Sequence, residues 1–148
     1  MSNLESALRK AGWYPGRDQS AQIPTWRSHI EANGCTWIDH AAPLLREFGG
    51  LRIQTHTNQS FLIDPGAPEP DRIALEAEDT GLSLCPIGED ESSFFPIVMD
   101  ARGVAWILFA YKPWPLGNQP MTILRCLYEG VTFLELPMGV AAQHDDEV

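Results

Sequence analysis

Residues 40–64 read HAAPLLREFGGLRIQTHTNQSFLID, and the pattern changes once, at Gly49-Gly50. Before the glycines, Ala41, Leu44, Leu45 and Phe48 fall at i, i+3, i+4 and i+7, the spacing of one helix face. Pro43 sits in the first turn of that helix, where a missing amide donor is tolerated. After the glycines, Leu51, Ile53 and Thr55 alternate with Arg52, Gln54 and His56, the period of a strand with one buried face. Thr57 to Ser60 reads as a turn and Phe61 to Asp64 as the returning strand. A helix that leads straight into a hairpin points away from a β-α-β alternation and towards α+β.

Upstream the chain is helical. Ser2 and Glu5 form a capping box, followed by Leu4, Ala7, Leu8 and Ala11 at helical spacing, and Gly12 stops the helix. Trp13-Tyr14-Pro15-Gly16-Arg17 is turn chemistry. Pro24 suits the first turn of a second helix, with Ile23, Trp26 and Ile30 on its buried side. Downstream, Asp71 to Thr80 predicts a short acidic helix capped by Gly81. Leu82 to Ile87 predicts a strand that Pro86 places at an edge or ends, and Gly88 to Ser93 an exposed loop. Phe94 to Met99 and Val104 to Tyr111 read as strands around Asp100-Ala101-Arg102-Gly103, a type I turn pattern. The second of them is nearly all apolar, as expected of a strand covered on both faces. Lys112 to Gln119 reads as a loop, and Pro120 opens a last helix with Ile123, Leu124, Leu127 and Tyr128 buried. Val131 to Met138 is a terminal strand or an apolar flap. The expected fold is α+β: a twisted, mostly antiparallel sheet flanked by helices, packed on one side of it. The expected domain spans residues 1–138, with 139–148 as an acidic flexible tail.

Length and charge bound the function. The 148 residues suit one domain with one core, 44% of them apolar. No apolar run approaches the roughly 20 residues that span a bilayer, and the N-terminus lacks a signal-peptide layout, so a soluble, cytoplasmic protein is expected. The net charge is −10. Residues 69–102 hold nine acids against two arginines, net −7, whereas residues 1–68 are balanced at six of each sign. Such a surface repels phosphate backbones and anionic membranes, so neither nucleic acid nor membrane is an expected partner. It suits a basic protein, or serves only solubility.

Catalytic and metal motifs are absent. Cys35, Cys85 and Cys126 lack the close spacing of zinc ligands, and His29, His40, His56 and His144 form no pair at i+3 or i+4. Neither metal nor cofactor is expected. The best enzyme reading sets Cys85 as nucleophile beside His56 and Asp64, but the negative local charge works against a thiolate. Trp114, between two prolines, is either a plug in the domain's own core or an aromatic interface contact.

Four segments occur in an order that resembles a known family: Ala11-Gly12-Trp13-Tyr14-Pro15-Gly16-Arg17, Leu45 to Leu51, Leu84-Cys85-Pro86-Ile87-Gly88, and Asp100 to Gly103 before an apolar strand. From about residue 4 to 130 they are similar to the third family of the SUKH superfamily of immunity proteins. The resemblance implies a SUKH-like α+β fold and a non-enzymatic role, binding and blocking a cognate toxin, often a nuclease or nucleic-acid deaminase. The family's characteristic positions map to Gly12, Trp13, Pro15, Gly16, Arg17, Phe48, Gly49, Gly50, Leu51, Pro86 and Gly88, most of them glycines, prolines and apolar residues that hold a fold rather than touch a partner. The expected toxin-facing residues are Glu76, Glu78, Asp79, Glu89, Asp90 and Glu91, with Arg17 and Trp114 as secondary contacts. A scaffold module of the same fold is the alternative, and the Cys85/His56 enzyme the third reading.

Overall fold

The computed structural model describes residues 3–109 and 112–130. Three helices come first: α1 (Asn3–Ala11), α2 (Ile23–Ala32) and α3 (Ala42–Phe48). The hairpin β1 (Arg52–Gln54) and β2 (Ser60–Leu62) follows, then α4 (Pro70–Thr80). The chain continues through β3 (Leu84–Asp90), β4 (Phe95–Asp100), β5 (Ala105–Leu108) and β6 (Pro113–Gly117) into α5 (Pro120–Glu129). The six strands form one antiparallel sheet in the order β1-β2-β3-β4-β5-β6.

Alternation along each strand divides its side chains between two faces. Ile53, Phe61, Cys85, Ile97, Met99, Ile107 and Trp114 join the main core with Leu4 and Leu8 of α1, Ile30 of α2, Leu44, Leu45 and Phe48 of α3, and Ile123 and Leu124 of α5. The helical stripe Ala41, Leu44, Leu45 and Phe48 is fully enclosed. On the opposite, outer face, Leu84, Val98 and Leu108 pack with Ile73 of α4. Helices therefore flank both faces, not one, and among the described residues α4 alone dresses the outer side. Gly81 takes the left-handed conformation (φ 70°) that ends α4, returning its amide to the Ala77 carbonyl.

Two loop expectations are corrected. Gly88, Glu89 and Asp90 belong to β3, which runs on past Pro86. β2 pairs with β3 only at Leu62↔Glu89 and Phe61↔Asp90, so Pro86 lies on a stretch with one open side, where a residue lacking an amide donor is accommodated. A bulge then sets Ile87 and Gly88 against the single residue Ile97. The extra residue turns Glu89 to the outer face beside Pro96, and without it Glu89 would point into the main core. Gly88 is the residue that fits there, because a Cβ would overlap the Leu62 carbonyl oxygen. The second correction concerns 113–117, which form β6, the edge strand among the described residues, its prolines at positions 113 and 115. An edge needs no inward donor from every residue, and prolines on it discourage pairing with another chain.

Ser2 of the expected capping box, Ala110 and Tyr111 of the expected strand, and the segment Val131 to Val148 with its expected flap and tail lie outside the described residues.

Candidate protein-binding surface

Of the residues that carry the family resemblance, Trp13, Arg17, Phe48 and Gly49 meet at the C-terminal end of α3. Arg17 donates from both guanidinium arms, Nη1 to the Glu47 carbonyl at 2.7 Å and Nη2 to the Gly49 carbonyl at 2.9 Å. These are orphan carbonyls at a helix end, and a cation there also opposes the helix dipole. Trp13 stacks on Phe48 with centroids 6.4 Å apart and donates Nε1–H to the Glu47 carboxylate at 2.8 Å. A Cβ on Gly49 would overlap the Trp26 ring and the Leu45 carbonyl oxygen, so close packing demands glycine here although its φ is ordinary. Arg17 is thus a clamp on the fold, its guanidinium bonded to two backbone carbonyls.

For Trp114 the structure decides between its two readings. It sits on β6 at 5% exposure within the main core, so it acts as the core plug. The proposed catalytic trio does not assemble. Cys85 is wholly enclosed, and burial pushes its thiol up to about 12. His56 Nδ1 lies 3.0 Å from the Tyr128 carbonyl oxygen, and the Asp64 carboxylate accepts the Gly66 amide at 2.8 Å. None of the three hydrogen-bonds another. Among the described residues no group of His, Cys, Asp and Glu is placed to hold a metal ion, and no helix is long and apolar enough to cross a membrane.

The acidic residues occupy the outer side, with one exception. Glu78 and Asp79 are exposed on α4, and Glu76 lies where that helix meets the sheet. Glu89 points outward through the bulge. Glu91 also lies on this side, accepting Arg52 Nε at 2.7 Å and the Ser60 hydroxyl at 3.0 Å, contacts that hold its carboxyl below the usual range. Asp90 faces the other way, into a cavity of about 410 Å³ shared with Phe61 and Phe95, and its carboxylate accepts the Ser92 hydroxyl. Among the described residues, Glu76, Glu78, Asp79 and Glu89 have no salt-bridge partner. The Glu89 carboxyl is pushed up, first by burial and then by the charges of Glu91, Asp90 and Glu69.

Because α4 covers only part of the outer face, an apolar groove of about 210 Å³ remains beside it, lined by Glu76, Leu82, Leu84, Trp106, Leu108 and Lys112. Its far wall is braced by Asp100, buried at 1% exposure. Asp100 accepts hydrogen bonds from Trp106 Nε1 (3.0 Å), from the amides of Arg102 (2.9 Å) and Val104 (3.2 Å), and from Arg102 Nη2 (2.9 Å). Burial acts to raise its carboxyl, but the bonds together outweigh it and hold the group below the usual aspartate range.

One feature of this region escapes pattern reading. Phe94, in the β3–β4 turn, is 72% exposed and has a left-handed backbone with φ 60°. Read by hydrophobicity alone, it opens the next strand; only the backbone conformation distinguishes it.

Among the described residues the outer side thus carries carboxylates without a salt-bridge partner and an apolar groove that Glu76 lines, and Cys85 is enclosed. Residues 2–130 match the model of the SUKH-3 immunity protein family, and the chain belongs to that family. The family confers an immunity function and, in general terms, a toxin as partner. No curated protein and no solved structure matched the chain.

Proposed function

We propose that this protein neutralises a basic toxin domain, of the nuclease or nucleic-acid-modifying kind, by stoichiometric binding through its outer face and without turnover. The observation that carries the reading is the set Glu76, Glu78, Asp79 and Glu89, without salt-bridge partners among the described residues, together with the apolar groove that Glu76 lines. Protein interfaces combine an apolar centre with a polar rim, and a field of one sign steers an oppositely charged partner and raises its association rate. A toxin that acts on nucleic acid needs a basic groove for phosphates, and the acidic face competes for that groove. Asp90 and Glu91 extend the charge to the β3–β4 turn.

The test is co-expression with the toxin domain encoded beside this gene, followed by association kinetics with an inactivated form of it. Replacing Glu76, Glu78, Asp79 and Glu89 by their amides leaves the fold intact, slows association roughly tenfold or more at low salt and flattens its salt dependence. An unchanged on-rate would place the contact elsewhere. Failure of the wild type to rescue cells or form a complex would remove the toxin reading and favour a scaffold role.

A further inference from the structure

We infer that Phe94 is the apolar anchor of the toxin contact, an aromatic knob that enters a pocket on the partner's basic surface; the inference rests on the reading above. Two independent observations lead to it. A left-handed backbone is uncommon for any residue with a side chain and a real outlier for a bulky one, where Cβ crowds the following carbonyl. Glycine fills such a position without strain. This turn carries phenylalanine instead, at φ 60°. The ring then stays 72% in water, so it recovers no burial from the described parts of its own chain. Both the backbone and the exposed ring count against the isolated protein, and a partner surface that covers the ring offsets them.

The surroundings suit that role. The turn is braced: Asp90 accepts the Ser92 hydroxyl at 2.8 Å, the Glu91 amide bonds to the Ser60 carbonyl at 3.0 Å, and the Glu91 carboxylate is tied to Arg52. A knob on a braced turn loses little conformational freedom on binding. Phe95, the next residue, packs inward against Phe109 at 5.1 Å and pins the base of the turn. Glu89, Asp90 and Glu91 precede Phe94 by three to five residues, so the knob projects from an acidic stretch of the chain. Aromatic anchors that fill a pocket on the partner are frequent centres of binding energy in interfaces. The chemistry predicts the partner: an apolar pocket bordered by lysine or arginine.

The experiment uses the full chain and the inactivated toxin domain from the neighbouring gene. Phe94→Gly and Phe94→Asn suit the left-handed turn, so their urea midpoints without toxin should equal or exceed that of the wild type. Dissociation from the toxin should accelerate roughly 30-fold or more, with association nearly unchanged. Phe94→Tyr should keep most of the affinity. A Phe94→Gly protein that dissociates at the wild-type rate overturns the inference. So does a lowered urea midpoint, which would show the ring packed within its own chain. If the wild type does not bind the toxin, the immunity reading itself fails and Phe94 falls with it; if the wild type binds, and only the acidic variant loses its fast association, the proposed function stands without the anchor.

Discussion

Asp100 gives the sharpest test of how the outer face is built. Replacing it with alanine strands the Trp106 indole N–H and the amides of Arg102 and Val104, all aimed at one carboxylate. A bond to a charged acceptor at a part-buried site contributes about 1 kcal/mol or more. The fourth bond, from the Arg102 guanidinium, adds little because that side chain is 47% exposed. The three remaining bonds sum to about 3 kcal/mol, a large share of a typical domain's 5–15 kcal/mol. Asp100→Asn should cost less, about 1–2 kcal/mol, since its carbonyl still accepts the amides while its NH2 group faces the indole donor. The two variants also differ from the wild type in pH response. The Asp100 carboxyl is held below the ordinary range, so its contribution is complete above the unfolded value of about 3.9 and disappears as pH falls through the folded one. Urea unfolding followed by tryptophan fluorescence from pH 7 down to about pH 2 measures both effects. A loss under about 1 kcal/mol for Asp100→Ala, or a wild-type advantage over Asp100→Asn that stays constant well below pH 3, would refute the account.

Further predictions concern groups whose environment sets their ionisation. Glu89→Gln should stabilise the protein slightly at neutral pH, by under about 1 kcal/mol because the side chain keeps some water. Its carboxyl is pushed up, so the charge opposes folding above the folded pKa, and the gain should vanish as acid neutralises the wild-type Glu89 as well; paired urea midpoints across pH 7 to 4 check the sign, and a loss at pH 7 would be contrary to it. Cys85, enclosed and with its thiol near 12, should resist a thiol reagent at pH 8 until the chain unfolds, whereas half-buried Cys35 and Cys126 react earlier. Mass spectrometry of the labelled native protein decides this, and early modification of Cys85 would reopen its catalytic reading.

The parts of the fold that pattern reading reaches are those where local chemistry and burial agree. The stripe from Ala41 to Phe48, the hairpin that follows Gly50 and the Asp100 turn are of this kind, each dictated by spacing or by a single capping side chain. The rest depended on neighbours. Glu89 and Asp90 look like loop residues because acids are scarce in strands; β3 carries them because a bulge sends one outward and the other to a cavity rim. Pro113 and Pro115 look like loop residues too, yet an edge strand needs few donors. Trp114 has two readings, core plug or interface contact, because burial of an aromatic between prolines is decided by a sheet face invisible in the local sequence. For the candidate surface, the excess of acids was legible in the charge count. Its division between faces, the groove beside α4 and the left-handed Phe94 were not, since each is a property of backbone geometry and packing.

The sheet order equals the chain order, with every strand beside its sequence neighbour, and that has a kinetic consequence. Four of the five strand pairings close across a tight turn or short connection, and only β2 to β3 must wait for the span that contains α4. Closing a short loop costs less entropy than closing a long one, and chains rich in local contacts cross the folding barrier faster. The β3–β6 meander can therefore assemble early as a unit, with β1–β2 and α1–α3 docking onto its inner face afterwards. The bulge at Gly88 lies in the strand that joins these two halves, so a substitution there should slow the docking step more than the formation of the meander.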